Sequence, residues 1–390
     1  MRLDLRRGLR ARAALLLAAA ALAACSGKDN THKPTPLADI PKPAISIDEA
    51  WSSSLGDGSD GLYTTLRIAL TDSALYMASV DGRVEALNPD NGKRLWRIDT
   101  KEKVISGPSA GGDMVLVGTE SGRAIALQSS DGKPLWKTQT SSEVGAPLAH
   151  DSGGNVVVRT VDGRVYGLDP QTGERRWGFD RAEPALTLRG MSAPLIESGH
   201  VYVGLDNGRL VSLNLSDGTP AWEQPISVPS GRTELDRIID IDADLLLGAD
   251  GLFVVSYGSD LAAVDPSNGQ AYWRRTVKSY SGMAYGAGRL YVTDADGDVL
   301  AFDASSGSQV WKQEGLKYRQ LSAPVLFAGY VVVGDYKGYL HWIATDDGHF
   351  VARSRLGSDP IVATPEVGAK YLYVMNAGGK VGAFSVQEKK

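Results

Sequence analysis

The side chains able to do chemistry are few, and their spacing limits what they can do. Five histidines, His32, His150, His200, His341 and His349, are scattered along the 390 residues, and no pair stands at a zinc spacing with a third ligand nearby. The chain has no Gly-x-Ser-x-Gly elbow for a serine nucleophile and no Gly-rich Walker loop to cradle phosphate. Repeated Asp-Gly pairs invite a calcium reading, but they fall between alternating apolar runs, where tight hairpin turns need residues that tolerate positive φ. Neither a catalytic residue nor a metal or cofactor site is expected.

The single cysteine, Cys25, is placed differently. Arg2, Arg6, Arg7, Arg10 and Arg12 give a basic start, and Ala13 to Ala24 is an uncharged run of 12 residues, too short to span a bilayer and suited to a signal segment. It ends in Leu22-Ala23-Ala24-Cys25, which resembles the lipobox of bacterial lipoproteins. The resemblance implies that residues 1–24 are removed and that Cys25 is acylated; Ser26 rather than Asp in the next position resembles the outer-membrane sorting pattern. Residues 26–43 carry Pro34, Pro36, Pro41 and Pro43 and no apolar periodicity. With Cys25 they read as a lipidated, flexible tether over 25–43, able to reach roughly 55 Å if extended. Removing residues 1–24 takes away five arginines and one aspartate and moves the formal charge from −5 to −9, a balance that points away from nucleic acid.

The elements that would position a site come from a repeat that fills residues 44–390. Copies such as Asn155 to Trp177 and His200 to Trp222 hold two alternating runs joined by an Asp-Gly or Asn-Gly turn, then a second turn and a strand ending in Trp. Successive copy ends, from Trp96 to Ala352, lie 40, 41, 45, 51, 38 and 41 residues apart, the period of a four-stranded propeller blade. A short run of small residues upstream of each copy, such as Ser192-Ala193-Pro194, supplies the innermost strand. The fold predicted is all-β: an eight-bladed propeller of four-stranded antiparallel blades. The last copy stops at Val386 without a Trp strand, whereas Trp51 stands in an unpaired segment ahead of the first. The N-terminal strand is therefore expected to complete the eighth blade and close the ring. The recurring Trp reads as packing between blades, and Trp342 as compensation for Ala352 at the missing seventh Trp.

Binding in a propeller is carried by loops on the regular scaffold, so the places where the repeat departs from itself matter most. The excess length lies in 178–190 and 223–249, two consecutive blade-to-blade connections that share one face. The first holds Leu186, Leu188 and Arg189; the second holds Gly231-Arg232-Thr233-Glu234-Leu235-Asp236-Arg237 and then Ile238 to Asp242, with Asp240 and Asp242 among isoleucines. Two readings stand side by side. Arginine beside apolar anchors makes a protein-binding hot spot; alternatively the leucines pack beneath the loop and Arg189 pairs internally with Asp240 or Asp242.

A lipobox, a tether and eight blades of quinoprotein type, with the segments LTLRG and RTELDRIIDID between blades, resemble the BamB family of lipoproteins of the outer-membrane β-barrel assembly machinery. The resemblance covers the whole chain after the signal segment. It implies a non-enzymatic scaffold lipid-anchored at the periplasmic face of the outer membrane, with Leu186, Leu188, Arg189, Asp240 and Asp242 contacting a POTRA domain of the barrel subunit BamA. It also implies help in folding and inserting outer-membrane proteins, and blade edges could pair with unfolded client strands. Quinone-dependent dehydrogenases share the repeat but use an adjacent cysteine pair and a calcium ligand set that this chain lacks. A cell-wall-binding propeller is the other alternative, with Tyr257, Tyr280 and Tyr285 as candidates to stack on sugars.

Overall fold

Alternation in the repeats becomes strand pairing of the expected register. Val201 and Val203 face Leu213 and Val211 across one hairpin, all four fully buried, and the reversal between them uses Gly208 at a φ of 72°, which glycine adopts without steric cost. The computed structural model describes residues 32–181, 184, 186–187, 192–258 and 260–388. The expected signal segment, Cys25, Leu188 and Arg189 lie outside the described residues.

Eight sheets follow one another in chain order, each running from an innermost to an outermost strand. Blades one to seven end in the outermost strands Arg94–Asp99, Pro134–Gln139, Arg175–Phe179, Pro220–Pro225, Ala271–Thr276, Gln309–Gln313 and Phe350–Arg355. The eighth draws its outermost strand, Ile45–Ser54, from the other end of the chain. It pairs antiparallel with Lys380–Glu388 from Ile45 opposite Glu388 to Ser54 opposite Lys380, with an irregularity between Glu49 and Trp51. The ring is thus an eight-bladed propeller closed by the N-terminal strand. One blade departs from the four-strand rule: Thr65–Leu66 adds to the inner edge of blade two, parallel to Val104–Gly111. Helix among the described residues amounts to one 3₁₀ turn, Leu235–Arg237.

Blades are latched to one another by the tryptophans. The indole N–H of Trp96 donates to Ser129 O, Trp136 to Pro170 O, Trp177 to Leu215 O, Trp222 to Pro266 O, Trp273 to Ala304 O and Trp311 to Thr345 O. Each acceptor lies at the last turn of the following blade, and the ring face covers that turn's glycine so closely that a Cβ on Gly132 would come within 2.7 Å of Trp96. Trp51 makes the same bond to Pro89 O in blade one, so the N-terminal strand supplies the closing latch. The junction from blade seven to blade eight has no such turn, because the last two strands of blade eight are not consecutive in the chain. Ala352 stands where Trp would have nothing to dock on. Trp342 lies directly opposite it, with 0% exposure, and fills the space from the neighbouring strand.

The expected tether is shortened by the structure. Thr35 N donates to Lys317 O, and Ala44 N to Val351 O. Arg319 donates to Thr35 O and Arg353 to Ala38 O, while Leu37 packs on the core between blades six and seven. Arg319 is held in turn by Asp335, which also bonds His341 at 3.0 Å. Residues 35–43 are therefore a strap on blades six and seven rather than free chain, because their backbone carbonyls and one leucine find partners that a Pro-rich composition does not reveal.

Candidate functional site

Strand order places all blade-to-blade connections on one face of the ring, together with the turns between second and third strands. Among the described residues, twelve large apolar side chains are exposed, and seven of them, Leu62, Tyr63, Leu186, Val228, Leu235, Tyr280 and Val362, lie in these connections. Leu95, Leu135, Tyr272 and Val310 sit instead on outermost strands at the rim. Apolar exposure is thus concentrated on the face that carries the two long connections, as expected of a contact surface rather than of a solvated one.

Of the residues singled out in the first long connection, Leu186 is 45% exposed; Leu188 and Arg189 cannot be placed within the described residues. In the second, the aspartates are not surface carboxylates. Asp240 is 1% exposed and both oxygens of Asp242 are shielded from solvent, because Ile239 and Ile241, at 4% and 0%, draw the strand-like segment into the ring. Ile241 N bonds Leu205 O, and Tyr257 N bonds Asp240 O. Carboxylate oxygens of Asp206, Asp240 and Asp242 lie within 4.8 Å of one another. The Arg159 guanidinium, itself buried, pairs with Asp206 and donates to Ser192 Oγ at 3.1 Å, and Ser192 Oγ donates to Ile241 O at 3.0 Å. Such a cluster has the donor geometry to hold a cation, and Arg159 already supplies one positive charge to it.

Among the described residues, Asp242 has no hydrogen-bond partner for either oxygen. Burial, then the neighbouring Asp240 and Asp206 charges, push its carboxyl up to about 8 against the opposing pull of Arg159. Two residues on, Asp244 accepts from Ala193 N at 2.7 Å and pairs with Arg67 at 2.9 Å.

Arg67 belongs to a segment that sequence reasoning passed over. After Ser54 the chain leaves blade eight with Leu55 N bonded to Gly379 O and Ser59 N to Ala377 O. It crosses the channel mouth to blade two, where Arg67 N bonds Gly107 O, and to the connection from blade two to blade three, where Thr65 Oγ1 bonds Gly145 O at 2.5 Å, before entering blade one at Ala69. A cavity of about 610 Å³ opens beside it, lined by Leu62, Tyr63, Arg67, Asp242, Tyr280, Val362 and Glu366 among others. The signal available was an apolar pair, Leu62-Tyr63, in a Gly-rich stretch outside any repeat. Of the tyrosines considered for sugar stacking, Tyr285 is occupied in packing, 5.4 Å from Phe253 and bonded to Asp250. Tyr257 lies under Lys278, and Tyr280 borders the cavity.

Fold and face define a propeller of quinoprotein type whose irregular connections form a partly apolar, partly acidic surface. A family model described as outer membrane protein assembly factor BamB matches residues 80–313. The BamB of Pseudomonas aeruginosa is 42% identical over 377 residues, covering 96% of this chain and 98% of that protein. The crystal structure of BamB from Moraxella catarrhalis superposes with a TM-score of 0.80 at 26% identity, over 87% of this chain and all of the other. The chain belongs to the BamB family of outer membrane protein assembly factors. A quinohemoprotein alcohol dehydrogenase from Comamonas testosteroni has a TM-score of 0.70 at 15% identity, over 87% of this chain and 76% of its own, a likeness of fold alone.

Proposed function

We propose that this protein is a non-enzymatic scaffold lipoprotein, anchored through Cys25 at the periplasmic face of the outer membrane, that docks on the POTRA region of the barrel subunit BamA. In that role it assists the folding and insertion of outer-membrane proteins. The observation that carries the reading is the gathering of exposed apolar side chains on the face where the two inserted connections meet. A rigid ring presenting one adhesive face is suited to holding a partner, and nothing in that face needs to move for it to do so. Leu186, which is 45% exposed, supplies contacts to the partner together with Leu188 and Arg189. Asp240, buried, and Asp242, with both carboxyl oxygens shielded, support the second connection from behind.

The test is calorimetric titration of the full chain, purified in detergent, with the POTRA region of the same organism's barrel subunit, repeated with Leu188→Ala and Arg189→Ala. Binding that weakens at least about fivefold in both variants at unchanged Tm supports the reading; wild-type protein that does not bind removes it and returns the cell-wall alternative. A second contact, with unfolded client strands, is favoured by the exposed Leu95, Leu135, Tyr272 and Val310 on outermost strands, whose free edges can accept a further strand. Crosslinkers placed at Leu135 in cells should capture client chains, and clean absence of such products counts against this role.

A further inference from the structure

The docking reading leaves the cavity at the channel mouth unused. Two sides of it are solvent-facing and apolar: Tyr63 is 70% exposed and Val362 63%, although both line a recess. Side chains of this kind, left uncovered at the rim of a concavity, form the type of pocket that anchors a partner's buried residue. The recess is also acidic. Asp242, Asp244 and Glu366 stand around Arg67, the one cation among the described residues of its wall, and Arg67 is already paired with Asp244. The crossing segment adds exposed Asp57 and Asp60 close by in the chain. It is also firmly placed: bonds to Gly379, Ala377, Gly107 and Gly145 tie it to three parts of the ring, and the Arg67–Asp244 pair ties it to the second long connection.

We infer that this crossing segment and recess form a second half of the docking face, in which Tyr63 and Val362 receive an apolar side chain of the protein partner and the surrounding carboxyls receive a Lys or Arg beside it. This inference rests on the docking reading and extends it from blades four and five across the channel mouth to blade eight. A cation arriving next to Asp242 and Glu366 would relieve what burial imposes on both, since each is held protonated above the ordinary carboxylate range chiefly by desolvation. An apolar anchor flanked by a basic residue therefore satisfies the apolar wall and the acidic floor together, whereas an acidic or purely polar segment satisfies neither.

The test uses the same detergent-purified full chain and POTRA region, with Tyr63→Ala and Val362→Asp. Both positions are exposed, so both variants should keep the wild-type Tm. The expected result is a Kd raised at least about fivefold for Tyr63→Ala and more for Val362→Asp, with wild-type binding that weakens as salt rises. If both variants bind as the wild type does while Arg189→Ala loses affinity, the extension is overturned and the docking reading stands. If wild-type protein shows no binding, both fall together. If Tyr63→Ala weakens binding and Arg189→Ala does not, the recess is the contact and the assignment to blades four and five fails.

Discussion

The Trp51 indole donates a 2.9 Å hydrogen bond to the Pro89 carbonyl, joining a strand that precedes the first repeat to the last turn of blade one. The same bond recurs around the ring with residues of consecutive blades, so the N-terminal strand is interchangeable in role with any repeated outermost strand. Deleting residues 44–54 should therefore open the ring and lower Tm far more than trimming residues before 35. Trp51→Ala should cost about 3 kcal/mol, read by denaturant titration, whereas Leu95→Ala on the exposed rim should stay within about 0.5 kcal/mol. Equal values for the two would sink the latch account.

Ala352 and Trp342 make a sharper test of the same geometry. They face each other across two strands, and Ala352 is 2% exposed. Restoring the repeat's residue with Ala352→Trp should destabilise by at least about 1–3 kcal/mol, since the indole would meet Trp342 and no turn of blade eight is there to receive it. Trp342→Ala should cost about 3–5 kcal/mol. An Ala352→Trp protein as stable as the wild type would show that the space is not filled in the way described.

The strap gives a prediction of local order. Arg319 is buried, pairs with Asp335 and holds Thr35 O. Arg319→Met takes from Asp335 its directly paired guanidinium, leaving His341 bonded to it and Arg353 beyond His341, and should cost about 3–5 kcal/mol. Arg353→Met, at a less buried group that holds Ala38 O, should cost less. Hydrogen exchange should show faster exchange of the Thr35 amide in Arg319→Met; unchanged exchange would mean that the strap is held by Leu37, Arg353 and its backbone bonds without Arg319.

These contrasts show what was legible beforehand. The latch could be read because Trp and Gly recur with the blade period, and because one Trp stood outside the repeats while one repeat lacked its own. The placement of Asp240 and Asp242 could not, since burial of the Ile239 and Ile241 side chains depends on the ring that closes around them, and a run of alternating Ile and Asp reads equally well as a surface loop. The crossing segment escaped because it repeats nothing: Thr65 and Arg67 acquire their roles from Gly145, Gly107 and Asp244, distant in sequence. The strap escaped for the same reason, its contacts being made by backbone carbonyls that composition does not register.

Asp242 links the buried carboxylate cluster to pH. Its ordinary value of 3.8 rises to about 8 in the folded chain, so between these limits the folded state binds more protons than the unfolded one and stability must fall as pH rises. Burial sets this first, then the charges of Asp240 and Asp206 beside it, with Arg159 opposing them. Each pH unit within the window can remove at most about 1.4 kcal/mol, and relaxation around the ionised carboxylate keeps the realised loss well below that ceiling. Glu366, raised to about 7 by burial against the pull of Arg67, changes stability in the same direction, so the wild-type profile alone cannot separate the two. Asp242→Asn does: it keeps the shape and removes the charge. Its Tm should exceed that of the wild type by a few degrees at pH 8 and by much less at pH 5. A difference of equal size at both values would show that the Asp242 proton is not coupled to folding, and would leave the segment's burial to be carried by Ile239 and Ile241 without an electrostatic cost.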